Sequence, residues 1–127
     1  MISGVQHIAL IVSSEKNLWF YEMLGFHECF RKVRKYDTAV LMVGHGMELE
    51  VFVDGRHPRH TDGLEECCGL RHFALQVAPG TKLEDEIERL KNSTTEVLGF
   101  GPIMEDWIGV KFCFVRDPDG TVVEIRE

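Results

Sequence analysis

Two histidines and two glutamates stand at matching places in the two halves of this chain. His7 lies in Val5-Gln6-His7-Ile8-Ala9-Leu10-Ile11-Val12, and His72 lies in Gly69-Leu70-Arg71-His72-Phe73-Ala74-Leu75-Gln76-Val77. Both segments read His-x-Ala-Leu-x-Val, with the histidines 65 positions apart. Each half also closes on an acidic residue set into apolar sequence: Glu50 in Met47-Glu48-Leu49-Glu50-Val51-Phe52, and Glu124 in Val122-Val123-Glu124-Ile125. Two neutral imidazoles and two carboxylates form a mixed nitrogen and oxygen donor set whose charge balances one dication. Such donors suit Ni, Co, Fe, Mn or Zn, and the lack of thiolates speaks against a purely structural zinc site. A metal accepting six ligands keeps two positions for water or substrate. Without a cation, two glutamates facing one cleft repel and pay desolvation. Taken singly, a strand glutamate is usually on a solvated face and a lone histidine is usually structural. From the residues alone the metal and the plain readings stand side by side, and the duplication is what favours the metal.

The elements that must position these side chains repeat as well. Residues 5–12 read as a strand, Ser13 and Ser14 as caps, and the helix after them ends at Gly25, with Leu18, Tyr21 and Leu24 on one face. Strand-like runs follow at 27–35, 38–43 and 47–53, the last two joined by Gly44-His45-Gly46. After a polar linker at about 55–68 the order restarts: a strand at 70–77, a helix at 82–92 with Leu83, Ile87 and Leu90 on one face, then a strand near 95–99. A loop at 99–109 leads to strands 110–115 and 121–126, joined by Arg116-Asp117-Pro118-Asp119-Gly120. The fold class is α+β: one domain over 1–127, built of two βαβββ modules (about 1–54 and 69–127) with a curved mixed sheet. Strand alternation puts His7, Ala9, His72, Ala74, Glu50 and Glu124 on the face away from the helices, a concave metal-binding cleft.

Composition limits the function classes. The net charge of −7 argues against a general nucleic-acid binder, and no apolar run is long enough to span a membrane. The N-terminus shows no signal peptide, and Cys29, Cys67, Cys68 and Cys113 lack a C-x-x-C spacing, so reduced thiols in the cytoplasm are expected.

His-x-Ala-Leu-x-Val followed by Trp19-Phe20-Tyr21-Glu22-Met23-Leu24-Gly25-Phe26, with Gly69-Leu70-Arg71-His72 and the ending Phe114-Val115-Arg116-Asp117-Pro118-Asp119-Gly120-Thr121-Val122-Val123-Glu124, resembles the vicinal oxygen chelate superfamily. The resemblance implies paired modules around one divalent metal held by His7, Glu50, His72 and Glu124. That four-ligand pattern is similar to glyoxalase I, whereas fosfomycin-resistance enzymes and extradiol dioxygenases use three protein ligands and methylmalonyl-CoA epimerases usually carry Gln where Glu50 stands. One departure concerns glutathione: the first-strand arginine that holds it in bacterial glyoxalase I is replaced here by Ile11. The implied activity is that of a metal-dependent lyase or isomerase moving a proton beside a carbonyl in a small 2-oxo or 2-hydroxy compound or its thiol adduct. Glu124 or Glu50 would serve as the catalytic base, with Glu124 favoured. The alternatives are a dioxygenase or thiol transferase of the same superfamily, or a non-catalytic resistance module that binds a small molecule. The expected partners are a small-molecule substrate and a second copy in a homodimer.

Two further residues enter as substrate-binding candidates. Lys111, alternating with Phe112, could face the cleft and pair with an anionic substrate, or could be a solvent lysine. Trp107 could belong to a lid, or simply pack on the sheet, the plainer reading. Cys113 is expected beside Lys111 and inert, His27 and His45 structural, and His57-x-x-His60 a solvated basic turn rather than a metal site.

Overall fold

A computed structural model describes residues 1–59, 68–96 and 98–127. The chain divides into two compact units, residues 1–59 and 60–127, and each has its own hydrogen-bonded sheet. The paired βαβββ modules are thus present, with one mixed sheet in each.

The first unit runs β1 (His7–Val12), a short 3-10 turn (Glu15–Leu18), α1 (Trp19–Met23), β2 (His27–Val33), β3 (Thr38–Gly44) and β4 (Met47–Val53). The sheet order is β1-β4-β3-β2, with β1 and β4 parallel and the other pairs antiparallel. Period-2 alternation sends Leu10, Val12, Val40, Met42, Leu49 and Val51 to one side, where they are buried like the helical Leu18, Phe20, Tyr21 and Leu24. Each such burial contributes roughly 1.5–3 kcal/mol. Ser14 occupies the N-cap but makes no side-chain cap hydrogen bond, and the first turn tightens to 3-10 geometry. The β3–β4 turn packs against the end of α1. His45 adopts φ 53°, its Nε2–H donates to the Leu24 carbonyl at 2.6 Å, and its ring meets Phe26 edge-on. A Cβ on Gly44 would approach the Gly25 carbonyl oxygen to 2.7 Å, so only glycine permits the contact. His45 is structural, as its sequence context suggests.

The second unit runs β5 (Phe73–Gln76), α2 (Leu83–Asn92), β6 (Gly99–Phe100), β7 (Met104–Glu105), β8 (Lys111–Arg116) and β9 (Val122–Arg126). Its order is β5-β9-β8-β6, with β7 also paired to β8. Leu83, Ile87 and Leu90 of α2 are buried, as are Phe73, Cys113, Val115, Val123 and Ile125. The strand expected at 95–99 is the two-residue β6, and the segment expected as loop contains β7. Gly101 and Pro102 separate the two pieces, since proline has no N–H to give a ladder. Two contacts distant in sequence fasten the start of α2: the Leu83 N–H donates to the Glu127 carboxylate at 3.0 Å, and Lys111 pairs with Glu84 at 2.7 Å. The β8–β9 turn closes as its sequence implies: Gly120 has φ 89°, and the Asp117 carboxylate accepts from the Asp119 and Thr121 N–H groups.

Candidate metal centre

In the first unit the parallel register sets Ala9 beside Glu50. His7 lies two residues earlier on the same face, so its ring and the Glu50 carboxylate are diagonal neighbours across β1 and β4. Nε2 of His7 stands 3.1 Å from a Glu50 oxygen, and the two side chains are 40% and 36% exposed. The other ring nitrogen, Nδ1, meets the Gln6 side-chain carbonyl, and the Gln6 amide donates onward to Glu48. A carbonyl oxygen can only accept, so Nδ1 carries a proton and Nε2 is the ring nitrogen turned toward Glu50. A lone pair and a carboxylate oxygen that close repel unless a proton or a cation lies between them.

The second unit repeats the register, with Ala74 beside Glu124. Nε2 of His72 is 3.7 Å from a Glu124 oxygen, with side-chain exposures of 26% and 11%. Its Nδ1 is buried and has no hydrogen-bond partner among the described residues. The ring is held by packing instead, edge-on to Phe114 at 5.1 Å, which stands opposite Glu124 in the β8–β9 ladder. Arg126, two residues beyond Glu124, brings Nη1 to 3.7 Å from that carboxylate and donates from Nη2 to Asp106 at 2.6 Å. The second Asp106 oxygen accepts from the Ile108 and Val110 N–H groups. Arg126, then these N–H groups, hold the Asp106 carboxyl below its usual range.

Donors about 2.1 Å from one metal lie about 3.0 Å apart at right angles and about 3.4 Å apart in a tetrahedron. The His7–Glu50 separation falls in that range, and His72–Glu124 lies a few tenths of an ångström beyond it. Each pair has the donor chemistry of half a divalent-metal site. Among the described residues, no three or more His, Cys, Asp or Glu side chains form a metal-binding group. The four donors are therefore seen as two pairs.

The substrate-side residues fall elsewhere. Lys111 was expected on the face of Glu124, but the β8–β9 register opposes Phe112 and Phe114 to Arg126 and Glu124. Lys111 and Cys113 accordingly point the other way, toward α2, where Lys111 is engaged by Glu84 and Cys113 is wholly buried. Burial pushes the Cys113 thiol up to about 11. Trp107 does not pack on the sheet: it is 95% exposed in the turn after β7. His57 lies 3.2 Å from the buried Asp54, while His60, and Cys67 of the adjacent cysteine pair, lie outside the described residues. Asp54 is held far below the usual carboxylate range, chiefly by the Arg56 side chain. Gln6 and Arg126 were missed by the sequence reading. Arg126 carries a legible signal, since a residue two after Glu124 in a strand shares its face.

No protein-family model matches the chain, and no curated protein matches it in sequence. Solved structures do match. A glyoxalase family protein from Enterococcus faecalis is 28% identical, with 98% of this chain and 97% of that one covered and a TM-score of 0.84. The fosfomycin resistance protein FosX from Listeria monocytogenes is 18% identical over 99% and 93%, with a TM-score of 0.71. A lactoylglutathione lyase from Agrobacterium tumefaciens is 16% identical over 99% and 94%, with a TM-score of 0.69. The latter two share the fold.

Proposed function

We propose that this chain, which has the fold of the vicinal oxygen chelate superfamily, is a divalent-metal-dependent lyase or isomerase of glyoxalase I type. Its substrate is a small 2-oxo or 2-hydroxy compound or its thiol adduct. The observation that carries this reading is the duplicated pair: His7 with Glu50 and His72 with Glu124, at the same register position of their sheets. These four residues would hold the ion. A bound dication supplies Lewis-acid stabilisation of charge developing on adjacent substrate oxygens.

The chain's own residues do the rest. Gln6 fixes the His7 tautomer, keeping Nε2 as a lone-pair donor. The side chains of Phe112 and Phe114 stand on the Glu124 face of their sheet, edge to face at 5.6 Å, and keep water from that carboxylate. Glu124 is the base: its carboxylate takes the proton from the carbon beside the substrate carbonyl and returns it to the neighbouring carbon. Glu50 is more open to water than Glu124, so a proton held there exchanges more readily with bulk. The same exposure favours the second reading, a dioxygenase or thiol transferase in which Glu50 is dispensable.

The test is elemental analysis of untagged protein, paired with deuterium exchange of α-hydroxy ketones. About one equivalent of Ni, Co, Mn or Zn with carbon-bound exchange supports the lyase. Iron with oxygen consumption supports the dioxygenase, and a metal-free protein binding its ligand undiminished supports a resistance module.

A further inference from the structure

The position two residues after the glutamate breaks the repeat. It is Phe52 in the first unit and Arg126 in the second. Arg126 lies on the face of Glu124, opposite Phe112 and beside Gln76. Of its donors, Nη2 bonds to Asp106, and Nη1 sits 3.7 Å from Glu124, beyond hydrogen-bond reach. Asp106 is itself clamped by two backbone N–H groups and is 8% exposed on its side chain. The guanidinium is thus pinned at one end while the arginine side chain stays 30% exposed. A planar fork fixed in this way is preorganised for a carboxylate, and the aromatic side chains opposite lower the local dielectric.

We propose that Arg126 is a specificity-determining residue that recognises a carboxylate on the substrate, separate from the two adjacent oxygens. The inference rests on the metal-dependent reading of the same face and narrows its substrate class. Two residues along a strand span about 6.7 Å, so the carboxylate lies a few bonds from the reacting carbons. An anion-binding cation was expected at Lys111; the register gives that place to Arg126, because Lys111 faces α2 and is neutralised by Glu84.

The experiment compares 2-oxoglutarate with its 5-methyl ester, which differ at the remote carboxylate alone, where the ester loses the charge and gains a methyl group. Both are titrated calorimetrically into the full chain in the presence of Mn²⁺, using wild type, Arg126→Gln and Arg126→Lys. Wild type is expected to bind the dianion at least tenfold more tightly than the ester. Arg126→Gln brings the ratio to within about twofold, and Arg126→Lys leaves it between the two, because an ammonium keeps the charge without the fork. Mn²⁺ affinity, measured separately, stays within about threefold in both variants. A wild-type ratio near one, a ratio unchanged in Arg126→Gln, or no binding of either compound overturns the proposal. Failure of wild type to bind Mn²⁺ counts against the metal reading alone, since the ligand ratio judges Arg126 with or without the ion.

Discussion

The two half-sites share a register and differ in what holds them. In the first, His7 opens β1 and its ring is oriented by a polar chain through Gln6 to Glu48. In the second, His72 lies one residue before β5, its Nδ1 is buried without a partner among the described residues, and its ring leans on Phe114. Glu50 is open to water, whereas Glu124 is enclosed and has Arg126 beside it. Duplication has kept the donors and let their supports diverge. On the proposed reading, the secluded half would serve proton transfer and the open half would serve chiefly to hold the ion.

Breaking the comparison at the carboxylates gives the largest effect. Glu124→Gln is expected to lower turnover by about 10³-fold or more, because on the proposed reading it removes the base and takes the charge from one metal donor. Glu50→Gln costs about 10–100-fold through weaker metal binding. Steady-state rates at limiting and at saturating metal separate the two: added metal relieves the Glu50→Gln loss and leaves the Glu124→Gln loss, and equal losses at saturation would contradict the division of labour.

Next in size is the core beneath the secluded half. Leu90→Ala empties a site that is 1% exposed and is expected to destabilise by about 2–5 kcal/mol in urea unfolding. A comparable truncation at Ile11, exposed on β1, changes stability by less than about 0.5 kcal/mol.

A sharper probe is Gln6→Leu. Losing the partner of Nδ1 frees the His7 ring to change tautomer, so metal affinity falls about 10–100-fold while the unfolding midpoint of the metal-free protein barely moves. A metal titration followed by competition with a chelator reads this directly, and an unchanged affinity means that Gln6 does not orient the ligand.

The smallest effect is on pH dependence. Asp54 and Asp106 are each held below the usual carboxylate range by an arginine, Arg56 and Arg126 respectively. A depressed carboxylate contributes stability that is present above its unfolded value of about 3.9 and is lost as pH falls through the folded value. Thermal midpoints should therefore drop on acidification below about pH 4. Asp54→Asn should flatten part of that limb and leave the midpoint at pH 8–9 lower but level.

Much of this was legible in the sequence, for identifiable reasons. The duplicated His-x-Ala-Leu-x-Val set both parallel pairs, because alternation fixes the face once the apolar residues are assigned to the core. The buried helix faces of Leu18, Tyr21 and Leu24, and of Leu83, Ile87 and Leu90, followed from helical spacing. Alternation within β8 alone does not say which of its faces meets the core; Cys113 takes a core place opposite Ile125, and that sends Lys111 toward α2. The α2 cap from Glu127 and the clamp on Arg126 from Asp106 join residues far apart in sequence, where local patterns carry no information. Trp107 looked like a packing residue by type, yet the turn closed by Asp106 and Gly109 projects it into solvent.

The central claim is that both pairs serve a single ion. Native mass spectrometry of wild type, His7→Ala/Glu50→Ala and His72→Ala/Glu124→Ala, each saturated with Ni²⁺ and then desalted, tests it most directly. The account predicts about one ion per chain in wild type and none retained in either double variant. An ion retained at wild-type occupancy by either variant would contradict it.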